Sequence, residues 1–98
     1  MPDTTRLAES RVRAAAAGLG PDDMHWLDTL GWDDAAAPRI SSATEHADYR
    51  RREKALAAAV AHLTFAERAE SPEGRLAAAL GARAADWDDR SGGGDDAD

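Results

Sequence analysis

The glycines and prolines of this chain divide it into segments that each carry the pattern of an α-helix. Eight glycines and four prolines punctuate the 98 residues, and the runs between them are rich in alanine, leucine and charged side chains. Residues with β-branched side chains never cluster over the roughly four to eight positions that a strand requires. The sequence therefore predicts an all-α protein, a small bundle of three to four helices.

Alanine supplies most of the apolar content, which limits the core that such a bundle can bury. Of the 42 hydrophobic residues, 24 are alanine and only 18 have a large side chain. Full burial of a large apolar side chain stabilises by ~1.5–3 kcal/mol, whereas ordering one residue costs ~1.5 kcal/mol. A core this short of large side chains predicts that the protein self-associates or docks onto a partner.

The first predicted helix ends at a glycine, either Gly18 or Gly20, because glycine readily adopts the left-handed conformation of a helix C-terminus. Its apolar side chains at Val12, Ala15 and Ala16 share one side of the helix. We therefore expect that side to face the core.

The second predicted helix begins at Pro21, since proline suits the first turn of a helix, and it ends at Gly31. Trp32 follows directly and is positioned to fold back onto Leu27, as the hydrophobic contact of a C-cap. Pro38 then prevents this helix from continuing into the next segment.

The third predicted helix begins at a serine and a glutamate three residues apart, Ser42 and Glu45, which match a capping box. This helix is predicted to run over Ala43–Glu70 and to form the long central helix of the bundle. Its core-facing stripe repeats every seven residues, at Tyr49, Leu56 and Leu63.

The fourth predicted helix begins at Ser71 and Pro72, a serine cap followed by a proline in the first turn. Residues 91–98 contain only serine, glycine, aspartate and alanine, and we expect them to form a disordered acidic tail. Residues 1–90 are then a single helical domain.

The net charge of -7, from 19 acidic and 12 basic residues, favours a protein partner with a basic surface. It disfavours binding to nucleic acid or anionic lipid, because like charges repel. The one basic run, Arg50–Arg52, has Asp48 and Glu53 nearby, so we expect a solvated face of salt bridges. With no cysteine and no long apolar run, we expect a cytoplasmic protein, not a membrane protein, of bacterial or phage origin.

Residues that support catalysis or metal binding have simpler structural explanations. Asp22, His25 and Asp28 could offer ligands on one helical face, but acidic residues in a first turn are explained by the helix dipole. Ser42 and Ser71 are helix caps, and no serine lies in a nucleophile-elbow motif. We therefore predict no metal site, no cofactor, no small-molecule substrate and no enzymatic activity.

The segment over residues 76–90, LAAALGARAADWDDR, resembles a helix–turn–helix pattern, with Ala77 before Gly81 at the turn and Trp87 after it. The resemblance implies a DNA-binding transcriptional regulator. However, the implied reading helix would present Asp86 and its neighbouring aspartates to the phosphates of DNA. One continuous helix, or a helical hairpin that binds protein, explains the same residues.

By elimination, the sequence predicts a non-catalytic protein–protein interaction protein: an accessory subunit, an adaptor or a small regulator, which could inhibit a basic partner by acidic mimicry. DNA binding through residues 76–90 is the alternative. The tryptophans Trp26, Trp32 and Trp87 are either core anchors or, most plausibly for Trp87, an interface hot spot. The predicted partner-binding residues are Phe65, which lies off the core stripe, and the group Asp86, Trp87, Asp88 and Asp89.

Overall fold

The computed structural model describes residues 3–92, and within this range every regular element is helical. The α-helices are α1 (Asp3–Ala16), α2 (Pro21–Thr29), α3 (Ala43–Ala59), α4 (Phe65–Glu70) and α5 (Pro72–Trp87). A short 3₁₀ turn, Asp34–Ala36, lies between α2 and α3, and a π-helical turn, Asp88–Gly92, follows α5. The predicted all-α bundle is confirmed.

Helices α3 and α5 form the centre of the bundle and run antiparallel to each other. Glu53 on α3 lies against Gly81 on α5, while Arg50, one turn earlier on α3, contacts Asp88 just beyond α5. The core draws on every helix except α4, and its buried members are Ala14, Leu19, Leu27, Trp32, Ala37, Ile40, Tyr49, Leu56, Leu76, Leu80 and Ala84.

The end of α2 forms the predicted C-cap. Gly31 adopts a φ of +67°, its N–H donates to Asp28 O at 2.9 Å, and the N–H of Trp32 donates to Leu27 O at 3.1 Å. This pair of hydrogen bonds defines a Schellman motif. It directs the buried Trp32 ring back onto the core beside Leu27, and the indole Nε1 donates to Asp28 Oδ1 at 2.8 Å.

The predicted long helix over Ala43–Glu70 is wrong in its length, because α3 ends at Ala59 and a turn separates it from α4. A capping box explains the restart. Thr64 Oγ1 accepts from the N–H of Glu67 at 3.2 Å, and the Glu67 carboxylate accepts from the N–H of Thr64 at 2.8 Å. Both residues gain hydrogen bonds that a continuous helix would not offer them.

The capping box predicted at the start of α3 forms only in part. Ser42 Oγ accepts from the N–H of Glu45 at 3.1 Å, as expected. The Glu45 carboxylate instead accepts from the backbone N–H and the hydroxyl of Ser41, at 2.8 and 2.9 Å. The helix therefore begins where predicted, with its glutamate bonded one residue further back.

The predicted core face of α1 is also wrong. Val12 is 69% exposed, and Ala15 and Ala16 are exposed as well. The buried side of α1 carries Ser10 and Ala14, because this helix meets α5 through a hydrogen-bonded polar contact that apolar periodicity does not reveal.

The connector between α2 and α3 is held by side chains that satisfy its backbone. Buried or half-buried carbonyl groups need such partners because they have lost water. The bonds run from Tyr49 Oη to Pro38 O (2.8 Å), from Arg83 Nε to Ala37 O (3.0 Å) and from Arg90 Nη2 to Ile40 O (3.0 Å).

The predicted tail over residues 91–98 falls mostly outside the described residues, which end at Gly92. Its first residue, Ser91, belongs to the final turn and donates its hydroxyl to Trp87 O at 2.7 Å. Along residues 3–92, the model has no helix whose length and apolar character would suit a bilayer-spanning segment.

Replacing Leu56 by alanine should lower the free energy of unfolding by about 2–5 kcal/mol, because its side chain is fully buried in the core and truncation leaves a cavity. Leu63→Ala is the matched control, since Leu63 lies half-buried in the turn after α3 and should cost less than about 1.5 kcal/mol. Urea unfolding followed by circular dichroism measures both. Equal losses would contradict the break in the helix.

Candidate docking site

The acidic end of α5 is largely neutralised by arginines from distant parts of the chain. Asp86 accepts a hydrogen bond from Arg90 Nε at 2.9 Å and lies 3.5 Å from Arg39 Nη2. The Arg90 hydrogen bond and the nearby positive charges hold the pKa of Asp86 below its ordinary value. Asp89 is exposed and makes no ion pair within the described part of the chain.

Asp88 is engaged in the same way. Arg50 Nη2 donates to its Oδ2 at 3.0 Å, and His46 Nε2 lies 3.0 Å from its Oδ1. The angle at His46 is too poor for a hydrogen bond, so this buried nitrogen has no well-aligned partner within the described residues. A basic partner would have to displace Arg50 to reach Asp88.

Trp87 is half-buried and packs against the edge of the core. The His46 ring lies with its centroid 6.4 Å away, and the Arg90 guanidinium lies 5.6 Å from the indole centroid. Trp26 is half-buried and Trp32 is buried. The structure thus places the three tryptophans in or beside the core, and none presents a fully exposed ring.

The helix–turn–helix geometry does not form over residues 76–90. Gly81 lies inside the continuous helix α5, so the turn that the pattern requires is absent there. The basic side chains that could approach phosphates, Arg83 and Arg90, instead donate to carbonyls of the connector. Of the two protein-binding explanations, a continuous helix is the one observed.

Sequence reasoning missed a carboxylate at the heart of the bundle. Glu73, in the first turn of α5, is fully buried. It accepts from Ser10 Oγ at 3.0 Å and from Arg13 Nε at 2.6 Å. Burial raises the pKa of Glu73, but the hydrogen bonds and the charge of Arg13 outweigh burial and hold it below the ordinary value. We infer a structural ion pair, not a reactive acid.

A second missed carboxylate joins α2 to α3. Asp23 is 95% buried and accepts hydrogen bonds from Arg51 and, at 2.9 Å, from Arg52 Nε. These bonds and charges overcome the effect of burial and lower the pKa of Asp23. Arg52 also lies 4.3 Å from the centroid of the Trp26 ring. The arginine run is therefore part of the packing between helices, and the expected solvated face holds mainly for Arg50.

The hydroxyl groups of all five serines are engaged in hydrogen bonds, and within residues 3–92 no three His, Asp or Glu side chains are grouped to bind a metal ion. The serine partners are Glu73 for Ser10, Glu45 for Ser41 and Ser42, Gly74 and Arg68 for Ser71, and Trp87 for Ser91. None of these partners is a general base for an activated nucleophile.

Phe65, the remaining predicted site residue, is 86% exposed. It is the first residue of α4, and every side chain of this six-residue helix is exposed. A large aromatic side chain left in water forgoes the stabilisation that burial would bring. Phe65 is thus the most conspicuous unburied apolar group among the described residues.

Phe65 lies at the rim of a groove of about 650 Å³ between α3, α4 and α5, which we call the Phe65 groove. Its small apolar lining allows another backbone to approach closely, as at helix–helix contacts. The apolar lining residues are Ala57, Val60, Ala69, Ala77, Ala78 and Ala79.

The charged groups at the rim of the Phe65 groove are mostly engaged. Arg75 lies 3.6 Å from Asp34, Glu53 accepts from Arg50 at 3.0 Å, and Arg68 donates to the backbone of the turn before α4. The groove therefore offers an apolar floor inside a rim of paired charges. Such an arrangement suits a hydrophobic contact with a polar periphery.

The chain was compared with models of protein families, with curated proteins and with solved structures, and none of them matches it.

Replacing Arg13 by alanine should cost about 3 kcal/mol in the free energy of unfolding, because it leaves the buried Glu73 carboxylate without its charged partner. Arg11→Ala is the control on the same helix. Arg11 pairs with Asp28 at 3.2 Å on the exposed surface, so its loss should cost less than about 1 kcal/mol. Chemical denaturation compares the two, and similar losses would contradict a structural role for Glu73.

The buried carboxylates Glu73 and Asp23 should make stability depend on acid pH. The pKa of each is lower in the folded protein than the ordinary values of 4.5 and 3.8, so the unfolded chain takes up protons first as the pH falls. Stability should be fully present above about pH 5 and decline below it. Melting temperatures from pH 7 to 3 measure this decline. It should be shallower in Glu73→Gln than in a control at the exposed Glu9, Glu9→Gln.

Proposed function

We propose that the protein is a non-catalytic interaction protein, an accessory subunit, adaptor or small regulator, that binds a basic amphipathic helix of a protein partner in the Phe65 groove. The 86% exposure of Phe65 beside this groove is the observation that carries the proposal. Clustered exposed aromatic and small apolar side chains are typical of the centre of a protein interface.

Helix α4 supports this role because its own packing explains so little of it. A helix of six residues is too short to be stable in water by itself, and α4 buries none of its side chains. Its capping box and its contact with α5 hold Phe65 in a fixed position on the surface. A rigid, exposed anchor binds with less loss of conformational entropy than a mobile one.

The charge of the chain supports a basic partner. The net charge is -7, which attracts a positively charged protein over a range set by the salt concentration. At the groove itself, the exposed Glu70 makes no ion pair within the described residues and could receive a lysine or arginine of the partner. The apolar face of the partner's helix would cover Phe65 and the alanines.

The acidic group Asp86, Asp88 and Asp89 is the weaker docking surface for such a partner. Arg39, Arg50 and Arg90 already neutralise two of its three carboxylates. A mimic of nucleic acid needs carboxylates that its partner's cations can reach without competition. We therefore place the proposed contact at Phe65, with the aspartates contributing to long-range attraction.

Labelled model peptides can test this proposal. A basic amphipathic helix of leucine and lysine should bind with a Kd in the micromolar range by fluorescence anisotropy. A leucine–glutamate helix with the same apolar face should bind at least about tenfold more weakly, a difference of about 1.4 kcal/mol.

Phe65→Ala should weaken binding of the basic peptide at least about tenfold, as expected for a central aromatic anchor. Val12→Ala is the matched control, because Val12 is also an exposed apolar side chain but does not line the groove. Comparable losses in both variants, or no loss in Phe65→Ala, would refute the proposed site. Equal binding of the basic and acidic peptides would refute the proposed partner class.

A further inference from the structure

The turn between α3 and α4, residues 60–64, interrupts a stretch in which nothing in the sequence compels a break. No glycine or proline occurs between Pro38 and Pro72, and the seven-residue stripe continues through Leu63. Alanine and leucine in the turn are strong helix formers. The same residues can therefore form either the observed turn or one continuous helix.

A small set of exposed hydrogen bonds maintains the turn. Thr64 and Glu67 form the capping box, while Arg68 donates from Nε to Leu63 O at 3.1 Å and from Nη2 to Ala61 O at 3.0 Å. A continuous helix would exchange these bonds for ordinary helical hydrogen bonds of the backbone. The balance between the two forms is consequently close.

Helix α4 is joined firmly to α5 but not to the core. The N–H of Ser71 donates to Glu67 O at 3.1 Å, and Gly74 packs so closely on the backbone of Arg68 that a Cβ at position 74 would collide with it. Helices α4 and α5 would thus move together, and the turn at residues 60–64 would act as the hinge.

Opening this hinge would remove α5 from its place in the same molecule. Adding residues 60–70 to α3 extends that helix by about 16 Å at 1.5 Å per residue. The chain then turns back far from its present position. Leu76 and Leu80 would lose their core contacts, and the buried Glu73 would lose Arg13 and Ser10.

We propose that two copies of the chain exchange α5 through this hinge, so that each α5 packs into the core of the other copy. All buried contacts of α5, including the Glu73 ion pair, re-form between copies, and only the hinge differs in structure. Exchange of an identical element is a common route to dimers for this reason. The occupant of the vacated α5 position is therefore a second copy of this chain.

The test is the dimer fraction after refolding at about 10 μM and about 1 mM protein, measured by size-exclusion chromatography with light scattering. The unmodified protein should give dimer that increases with concentration. Phe65→Pro should reduce the dimer at least about tenfold, because proline suits the first position of α4 but disrupts a helix interior. Thr64 already has the extended backbone, φ -68° and ψ 166°, that precedes proline without strain.

Two further variants distinguish exchange from a simple surface contact. Phe65→Ala also removes the ring but permits a continuous helix, so it should dimerise like the unmodified protein. Thr64→Ala removes the cap of α4 and should increase the dimer fraction. A circular dichroism melt of each monomer verifies that the variant folds.

The exchange is overturned if the unmodified protein stays monomeric at about 1 mM after refolding. It is also overturned if Phe65→Ala reduces the dimer as much as Phe65→Pro, since that result identifies a face-to-face contact at Phe65. A dimer fraction that does not rise in Thr64→Ala likewise contradicts the hinge.

Discussion

The buried ion pair between Glu73 and Arg13 fixes the arrangement of the outer helices around the α3–α5 pair. A fully buried carboxylate requires its charge partner and hydrogen bonds, because an uncompensated charge in the interior is far more unfavourable than a misplaced methyl group. Glu73 follows the serine cap and proline that begin α5, so the start of this helix determines where the carboxylate lies. Arg13 and Ser10 must then come from α1. The position of α1 follows from that requirement more than from apolar burial.

Charged groups take on this role because the chain has so few large apolar side chains. Asp23 does between α2 and α3 what Glu73 does between α1 and α5: it holds two helices in one register through arginines. Alanine-rich surfaces by themselves specify register poorly, since methyl groups fit against each other in many positions. Directional hydrogen bonds between buried carboxylates and guanidinium groups select one of those positions. We regard such selection as the main effect of the two carboxylates.

Features set by neighbouring residues could be predicted from the sequence, whereas features set by distant residues could not. The Schellman motif at Gly31 and the cap at Ser71 depend on fewer than six consecutive residues and were predicted. The break before α4 was also detectable, because Thr64 and Glu67 have the same spacing as Ser42 and Glu45, but the apolar repeat was given more weight. The exposure of Val12 was not detectable, since it follows from partners of α1 that lie about sixty residues away. The same holds for the arginines that neutralise Asp86 and Asp88, whereas Phe65 could be identified because it departs from the stripe of its own segment.

The two proposals meet in α4 and constrain each other. The Phe65 groove exists only while α4 is bent back against α3 and α5, because residues of all three helices line it. A partner helix that binds this groove therefore binds the bent form and not a form in which residues 43–70 are one helix. By linkage, a ligand that prefers one of two states shifts the population toward that state. Partner binding would accordingly oppose exchange of α5, and exchange would lower the apparent affinity for the partner by the same coupling free energy. The short, unburied helix is thus where the fold, with its thin core, is most open to control by what surrounds it.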